Sequence, residues 1–179
     1  MIRATTEADL AAITAIYADS VLHGTGTFEL DVPTAEEMRA RLAAPAALGL
    51  PVLTAEIDGQ VAGYAYAGPY RLRAAYRFLV EDSIYVAEMF RGCGVGKGLL
   101  DALLTACEAM GMRQMVAVIG DSANAGSIAL HAAAGFEHVG VFHAAGWKFD
   151  AWRDVVFMQK ALGPGATASP DAPGLDCGR

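Results

Sequence analysis

Arg91-Gly92-Cys93-Gly94-Val95-Gly96-Lys97-Gly98 lies between a strand-like run ending at Val86 and an apolar helical stripe opening near Gly98, and no other segment constrains the fold as much. A strand must end on one side of it and a helix begin on the other, which is an α/β signature. The four glycines leave backbone N–H groups uncovered. Together with the positive end of a helix dipole, such donors seat a phosphate or pyrophosphate. Glycine also serves plain tight turns, but the placement between strand and helix favours the phosphate reading. A P-loop would need glycine at 91 and Ser or Thr at 98, where the chain has Arg91 and Gly98. The dinucleotide spacing G-x-G-x-x-G also fails, because Lys97 follows Gly92 and Gly94 while Leu99 follows Gly94 and Gly96. What remains is Arg-x-x-Gly-x-Gly.

Residue patterning supplies the surrounding elements. Residues 1–4 read as a short strand, and Thr6-Glu7-Ala8-Asp9 is a cap signal before the periodic set Leu10, Ile13, Ile16, Tyr17 and Val21, a helix ending near His23-Gly24. Thr34-Ala35-Glu36-Glu37 repeats the signal and opens a second helix expected to stop at Pro45. Residues 51–57 and 60–67 flank Asp58-Gly59, the pair favoured in a type I′ hairpin turn, with Gly68-Pro69 as its close. Residues 70–79 read as a loop or short helix and 80–86 as a strand. Leu99, Leu100, Leu103, Leu104, Cys107 and Met110 make one helical stripe, stopped at Gly111. Strands are expected at 115–119, 136–142 and 154–162, with a helix at 127–134 and a Gly/Trp-rich turn before the last strand. The result is one α/β domain over 1–162 with a mixed sheet. Residues 163–179 hold almost nothing to bury and are expected to form a disordered tail.

Composition narrows the partners. With 13 Lys+Arg against 20 Asp+Glu the net charge is -7, and no basic block is present, which disfavours nucleic acid and anionic lipid. Charges interrupt every apolar stretch before the ~20 residues of a membrane helix, and no signal peptide is visible. Cys93, Cys107 and Cys177 form no staple framework, so a cytoplasmic location is expected. His138 and His143 lack companions for a metal site, and no metal is expected.

Arg91, Gly94 and Gly96 in this spacing resemble the pyrophosphate loop of the GNAT acetyltransferases, which bind acetyl-CoA. Further segments match in order: Val80-Glu81-Asp82-Ser83-Ile84-Tyr85-Val86, Ala117-Val118-Ile119 followed by Asn124, Leu130-His131 before Gly135-Phe136, and Gly146-x-Lys148 with Trp152 and Asp154. More narrowly, the chain resembles the phosphinothricin and methionine sulfoximine or sulfone N-acetyltransferases over nearly all of its length before the tail. The resemblance implies a single-domain GNAT-like fold, a mixed and mostly antiparallel central sheet with helices on both faces. It also implies a homodimer, with Trp147 and Trp152 near the contact, although two such side chains are equally explained by capping the core.

By the same resemblance, Tyr85, Val86 and Ala87 meet the pantetheine arm, Cys93, Gly94, Val95, Gly96, Lys97 and Gly98 hold the pyrophosphate, and Asn124 and Ser127 contact acetyl-CoA from the next helix. A backbone N–H near Val86 then polarises the thioester carbonyl. The family's catalytic glutamate falls on Glu81. An attacking amine must lose a proton, and apolar neighbours would raise a carboxyl here towards use as a base; the alternative is a salt-bridged carboxylate at a strand edge. His131 stands where many members carry a tyrosine that protonates the departing thiolate, whereas a lone histidine beside alanines is otherwise packed and hydrogen-bonded. Arg71, Leu72 and Arg73 are implied to line the acceptor pocket, with Arg73 on the substrate carboxylate. Phe28 is implied near that pocket, and Asp82 and Ser83 beside the base. Ala129 stands where many members of the resembled family carry an arginine. The expected activity is acetyl transfer from acetyl-CoA to a small amino-acid analogue; the alternatives are a protein or peptide N-acetyltransferase and a non-catalytic acetyl-CoA-binding module.

Overall fold

The structure, a computed structural model, describes residues 1–176. Seven strands form one sheet in the order β1-β2-β3-β4-β5-β7-β6, where β1 is Ile2–Ala4, β2 Val52–Ile57, β3 Gln60–Pro69, β4 Leu79–Val86, β5 Gln114–Gly120, β6 Glu137–Lys148 and β7 Ala151–Ala161. Every neighbouring pair is antiparallel except β4 and β5. Helices α1 (Leu10–His23) and α2 (Ala35–Ala47) cover one face over Ile13, Val21, Met38 and Tyr64. Helix α3 (Val95–Ala109) sinks Leu99, Leu100, Leu103 and Cys107 into the other, against Val80, Met115, Ala117 and Met158. Helix α4 (Ala125–Ala133) lies beside it, with Ile128 and Leu130 packed on the same core.

Local signals explain most element ends. Asp58 and Gly59 both adopt positive φ, as the type I′ turn demands. Thr34 accepts from the Glu37 amide while Glu37 returns to the Thr34 amide, a capping box that opens α2. That helix runs two residues past Pro45 instead of stopping at it. In the last turn a proline forfeits only one helical hydrogen bond.

Three further expectations need correction. Helix α3 starts at Val95, not near Gly98, because Gly94 in the left-handed region, φ 81°, turns the chain into the helix three residues earlier. The Gly/Trp-rich turn is instead a long hairpin: β6 continues to Lys148 and turns on Phe149 and Asp150, both at positive φ. Asp154 steadies the break in β6 by accepting from the Ala144 amide at 3.0 Å and the Ser122 hydroxyl at 2.9 Å. Residues 163–176 lie back on the domain instead of hanging free. Leu175 is buried in the core, its amide donates to the Arg77 carbonyl at 2.8 Å, and Arg113 donates to the Ser169 carbonyl at 3.1 Å. One leucine and a few backbone groups suffice to dock a segment otherwise made mostly of Gly, Pro and Ala. Cys177 lies outside the described residues; Cys93 and Cys107 are free. Among the described residues no helix is long and apolar enough to cross a membrane, and no cluster of His, Cys, Asp or Glu has metal-binding geometry.

Candidate active site

Strands β4 and β5 pair only at Leu79↔Gln114, Val80↔Met115 and Glu81↔Val116. Beyond Glu81 they part, and the wedge between them opens a cleft of about 800 Å³. Pairing on the far side of β4 continues to Gly63↔Val86, and the Ala87 amide donates to the Ala62 carbonyl at 2.9 Å. Backbone groups alternate along a strand, so the Val86 N–H points the other way, into the wedge. It is a fixed donor at the place where the two strands have separated.

The glycine loop forms one end of the cleft. Gly92 and Gly94 hold φ of 76° and 81°, and a Cβ on either would meet nothing within 4 Å. These two are therefore required by backbone conformation, and they leave an open cradle before the first turn of α3. Gly96 and Gly98 serve packing: a Cβ would stand 3.3 Å from Leu130 Cδ2 at the first and 3.0 Å from Ile2 Cδ1 at the second. The amides of Val95, Gly96 and Lys97 come before the first intrahelical bond, Gly98 N to Gly94 O at 3.0 Å, and face a helix N-terminus suited to an anion. Arg91 and Lys97 add charge at the rim, each held by an acid, Asp19 and Asp101 respectively.

Two neighbouring carboxylates occupy the wedge with unlike surroundings. Glu81 and Asp82 point to opposite faces of β4. Among the described residues Glu81 has no hydrogen-bonding partner, and burial, reinforced by the Asp82 charge, raises its carboxyl to about 7. Asp82 is buried and meets His131, Oδ2 to Nε2 at 3.0 Å. The other ring nitrogen of His131 lies 2.8 Å from the Ser127 carbonyl oxygen, which can only accept. Both ring nitrogens are satisfied together by the imidazolium form. Burial by itself lowers the His131 pKa, but the Asp82 hydrogen bond, the Asp82 charge and the Ser127 carbonyl outweigh it and the net shift is upward. The imidazole thus has no N–H left to give to a departing group. These contacts, to Asp82 and to the Ser127 carbonyl, are not those of the general acid expected from its position.

The cleft brings together Glu81, Asp82, Ser83, Tyr85, Val86, Gly94, Val95, Gly96, Lys97, Asn124, Ser127 and His131, all expected from the sequence. Asn124 also caps α4, its Oδ1 accepting from the Ser127 amide. Ala87, Cys93 and Gly98 sit outside the lining: Ala87 packs on the α1–α2 side, Cys93 is exposed with its thiol on the Arg91 carbonyl, and Gly98 faces Ile2. Arg71, Leu72 and Arg73 are also outside. Residues 71–77 are exposed and held by short turns within the loop, Arg73 N to Arg71 O at 2.9 Å and Tyr76 N to Arg73 O at 2.8 Å. Phe28 does not line the cleft either; its ring sits against Gly146 and Gly120.

Sequence reasoning missed the residues just before Phe28. Gly24, Thr25, Gly26 and Thr27 form a wall of the cleft, and Gly120 at the end of β5 fits beneath them. A Cβ on Gly120 would lie 2.2 Å from the Thr25 carbonyl oxygen. A glycine closing a strand beside a Thr-Gly-Thr loop was the available signal.

A family model described as an acetyltransferase (GNAT) domain matches residues 2–157. The chain is 49% identical over 170 residues to a phosphinothricin N-acetyltransferase of Alcaligenes faecalis, covering 95% of this chain and 86% of that one. It is 39% identical over 171 residues to an L-methionine sulfoximine/L-methionine sulfone acetyltransferase of Salmonella typhimurium, covering 96% and 98%. Among solved structures it is similar to a phosphinothricin acetyltransferase from Sinorhizobium meliloti in complex with AcCoA, with a TM-score of 0.92 and 47% identity over 95% of this chain and 92% of that chain.

Proposed function

The chain belongs to the GNAT acetyltransferase family, and from that premise we propose that it transfers the acetyl group of acetyl-CoA to the amino group of a small amino-acid analogue such as phosphinothricin, methionine sulfoximine or methionine sulfone. The observation that carries this reading is the β4–β5 wedge, with a carboxyl raised to about 7 where the strands part and an open amide cradle at its far end. Acetyl-CoA supplies the activated acyl group. Its pyrophosphate fits the cradle of Gly92 and Gly94 with the amides of Val95, Gly96 and Lys97, and the exposed edge of β4 offers Tyr85 and Val86 to the pantetheine arm. Asn124 and Ser127 flank it from α4.

Glu81 takes the proton that the acceptor ammonium must lose, since a carboxyl near 7 is both ionised in part and basic enough at neutral pH. The neutral amine attacks the thioester carbonyl, the Val86 N–H stabilising negative charge on the acyl oxygen; the C–S bond then breaks, and CoA leaves as a thiolate that takes up the second proton lost by the nitrogen. His131 holds Asp82 in place on the opposite face of β4 from Glu81. The acceptor enters beside Gly24, Thr25, Gly26 and Thr27, with Ser83 on the same side as Glu81, and Arg73 reaches its carboxylate by movement of the exposed loop 71–77. Thiol release from acetyl-CoA, measured with phosphinothricin and methionine sulfoximine for the wild type and Glu81→Gln, is the test. Turnover by the wild type and its loss in the variant support the reading; no turnover with any free amino acid but activity on peptides would replace it.

The protein is further proposed to act as a homodimer in the cytoplasm. Phe142, Trp147, Phe149 and Trp152 are 48–64% exposed on the β6–β7 hairpin, whose β6 is an edge strand. An apolar edge of this kind is suited to burial against a second copy. Free Cys93 and Cys107 fit a reducing compartment. Sedimentation of Trp152→Glu, expected to run as a monomer beside a dimeric wild type, checks the assembly.

A further inference from the structure

Gly146 and Lys148 stand outside the cleft, yet both touch the loop that walls it. Lys148 is 2% exposed, and its Nζ donates to the Thr27 carbonyl oxygen at 2.8 Å. The same ammonium lies 5.0 Å from the centroid of the Phe149 ring and feels the Glu29 carboxylate. Two residues earlier on the same face of β6, a Cβ on Gly146 would stand 2.4 Å from Cδ2 and 2.5 Å from Cε2 of Phe28. The missing side chain is the space the phenyl ring occupies.

The loop is tied from its other side as well. The Thr27 hydroxyl meets Tyr17 Oη at 2.9 Å, and Arg41 pairs with Glu29 at 2.6 Å while lying over the Tyr17 ring. A buried ammonium costs desolvation energy that a methionine of similar length would not. A lysine here therefore serves as a donor to one particular carbonyl, and that carbonyl belongs to the wall of the cleft.

We propose that Gly146 and Lys148 are positioning residues for the acceptor: together they clamp Phe28 and Thr27, and so hold residues 24–29 in the conformation that receives the amine. This rests on the acceptor entering beside that loop, as proposed above. The clamp joins the loop after α1 to the C-terminal hairpin, 121 residues away along the chain.

Two measurements on the full-length protein test it. In Lys148→Met and Gly146→Ala, kcat/KM for the acceptor is expected to fall about ten- to a hundredfold, the scale of a small misplacement of a bound reactant, with the KM for acetyl-CoA unchanged. Phe28→Ala should make room for the added methyl, so Gly146→Ala should cost several-fold less in that background. Hydrogen exchange of the amides of residues 24–30, with no substrate present, should quicken in both single variants while β4 and α3 keep their protection. Should one single variant fail to fold, the other carries both measurements. If the wild type acetylates no amino acid, the proposed function fails and the exchange result alone judges the clamp. Unchanged exchange in the loop overturns it, as does unchanged acceptor kcat/KM, or an equal loss for both substrates.

Discussion

His131 Nε2 lies 3.0 Å from Asp82 Oδ2, and the pair is sealed, with 4% and 3% of the two side chains exposed. Opposite charges in such a place stabilise little as a pair, but either one alone is costly. Removing the imidazole leaves a buried carboxyl whose Oδ1 already has no partner among the described residues. His131→Gln is therefore expected to lower stability by about 3–5 kcal/mol in urea denaturation, and Asp82→Asn in the same chain to restore part of it. A fall in kcat as large as that of Glu81→Gln, in protein shown to be folded, would return His131 to the role of proton donor.

The same pair gives a pH dependence of stability. The folded pKa of His131 is raised above its ordinary 6.5, so its contribution is fully present below that value and is lost as pH rises through the folded pKa. The Tm of the wild type should decline as pH increases above about 6.5. The decline should flatten when both His131→Gln and Asp82→Asn are present, which scanning calorimetry across that range would show.

Glu81 must be ionised to act as a base. The kcat/KM of the wild type should rise with pH through about 7, following its raised carboxyl. Glu81→Gln should lose about 10²–10⁴ in kcat while binding acetyl-CoA as before. Because burial contributes most and the Asp82 charge next, Asp82→Asn should move the acidic limb to lower pH without abolishing it. A limb that stays in place in Asp82→Asn would deny the coupling.

Gly94 separates conformation from space. Its φ is 81° and nothing lies within 4 Å of an added Cβ, so Gly94→Ala should cost about 1–2 kcal/mol from backbone strain alone. The strained turn re-aims the first amides of α3, and calorimetry should record weaker acetyl-CoA binding. Binding and stability both equal to the wild type would mean that the left-handed turn is dispensable.

Leu175 distinguishes a docked segment from a free one. Leu175→Ala should lower stability by about 2 kcal/mol if its side chain is held in the core as the structure has it. A loose tail would register no change in the denaturation midpoint.

Features that depend on neighbours in the chain were legible from the sequence. Asp58-Gly59 marks a type I′ hairpin because only a few residue pairs tolerate two positive φ angles, and Thr34 with Glu37 marks a helix start because their groups can reach each other three residues apart. The order of strands and helices, the glycine loop and the position of Glu81 follow from such local rules and from the resemblance built on them. Phe149-Asp150 escaped notice because a phenylalanine does not advertise a positive φ and no glycine follows the aspartate; the turn there is imposed by the pairing of Trp147 with Trp152 and Lys148 with Ala151.

What tertiary structure alone decided is which of these groups meet. His131 and Asp82 are 49 residues apart, and Lys148 and Thr27 are 121 apart. Nothing local to any of them states whether a ring nitrogen is free or occupied, or whether a lysine is solvated or buried. Periodicity reports the face on which a side chain stands; a proton's availability depends on what the sheet brings against that face. The chain's own order therefore determined the fold and the place of the cleft. The folding of distant segments onto one another determined that the histidine holds a carboxylate, that the loop after α1 is pinned from the far hairpin, and that Arg73 stands away from the wedge.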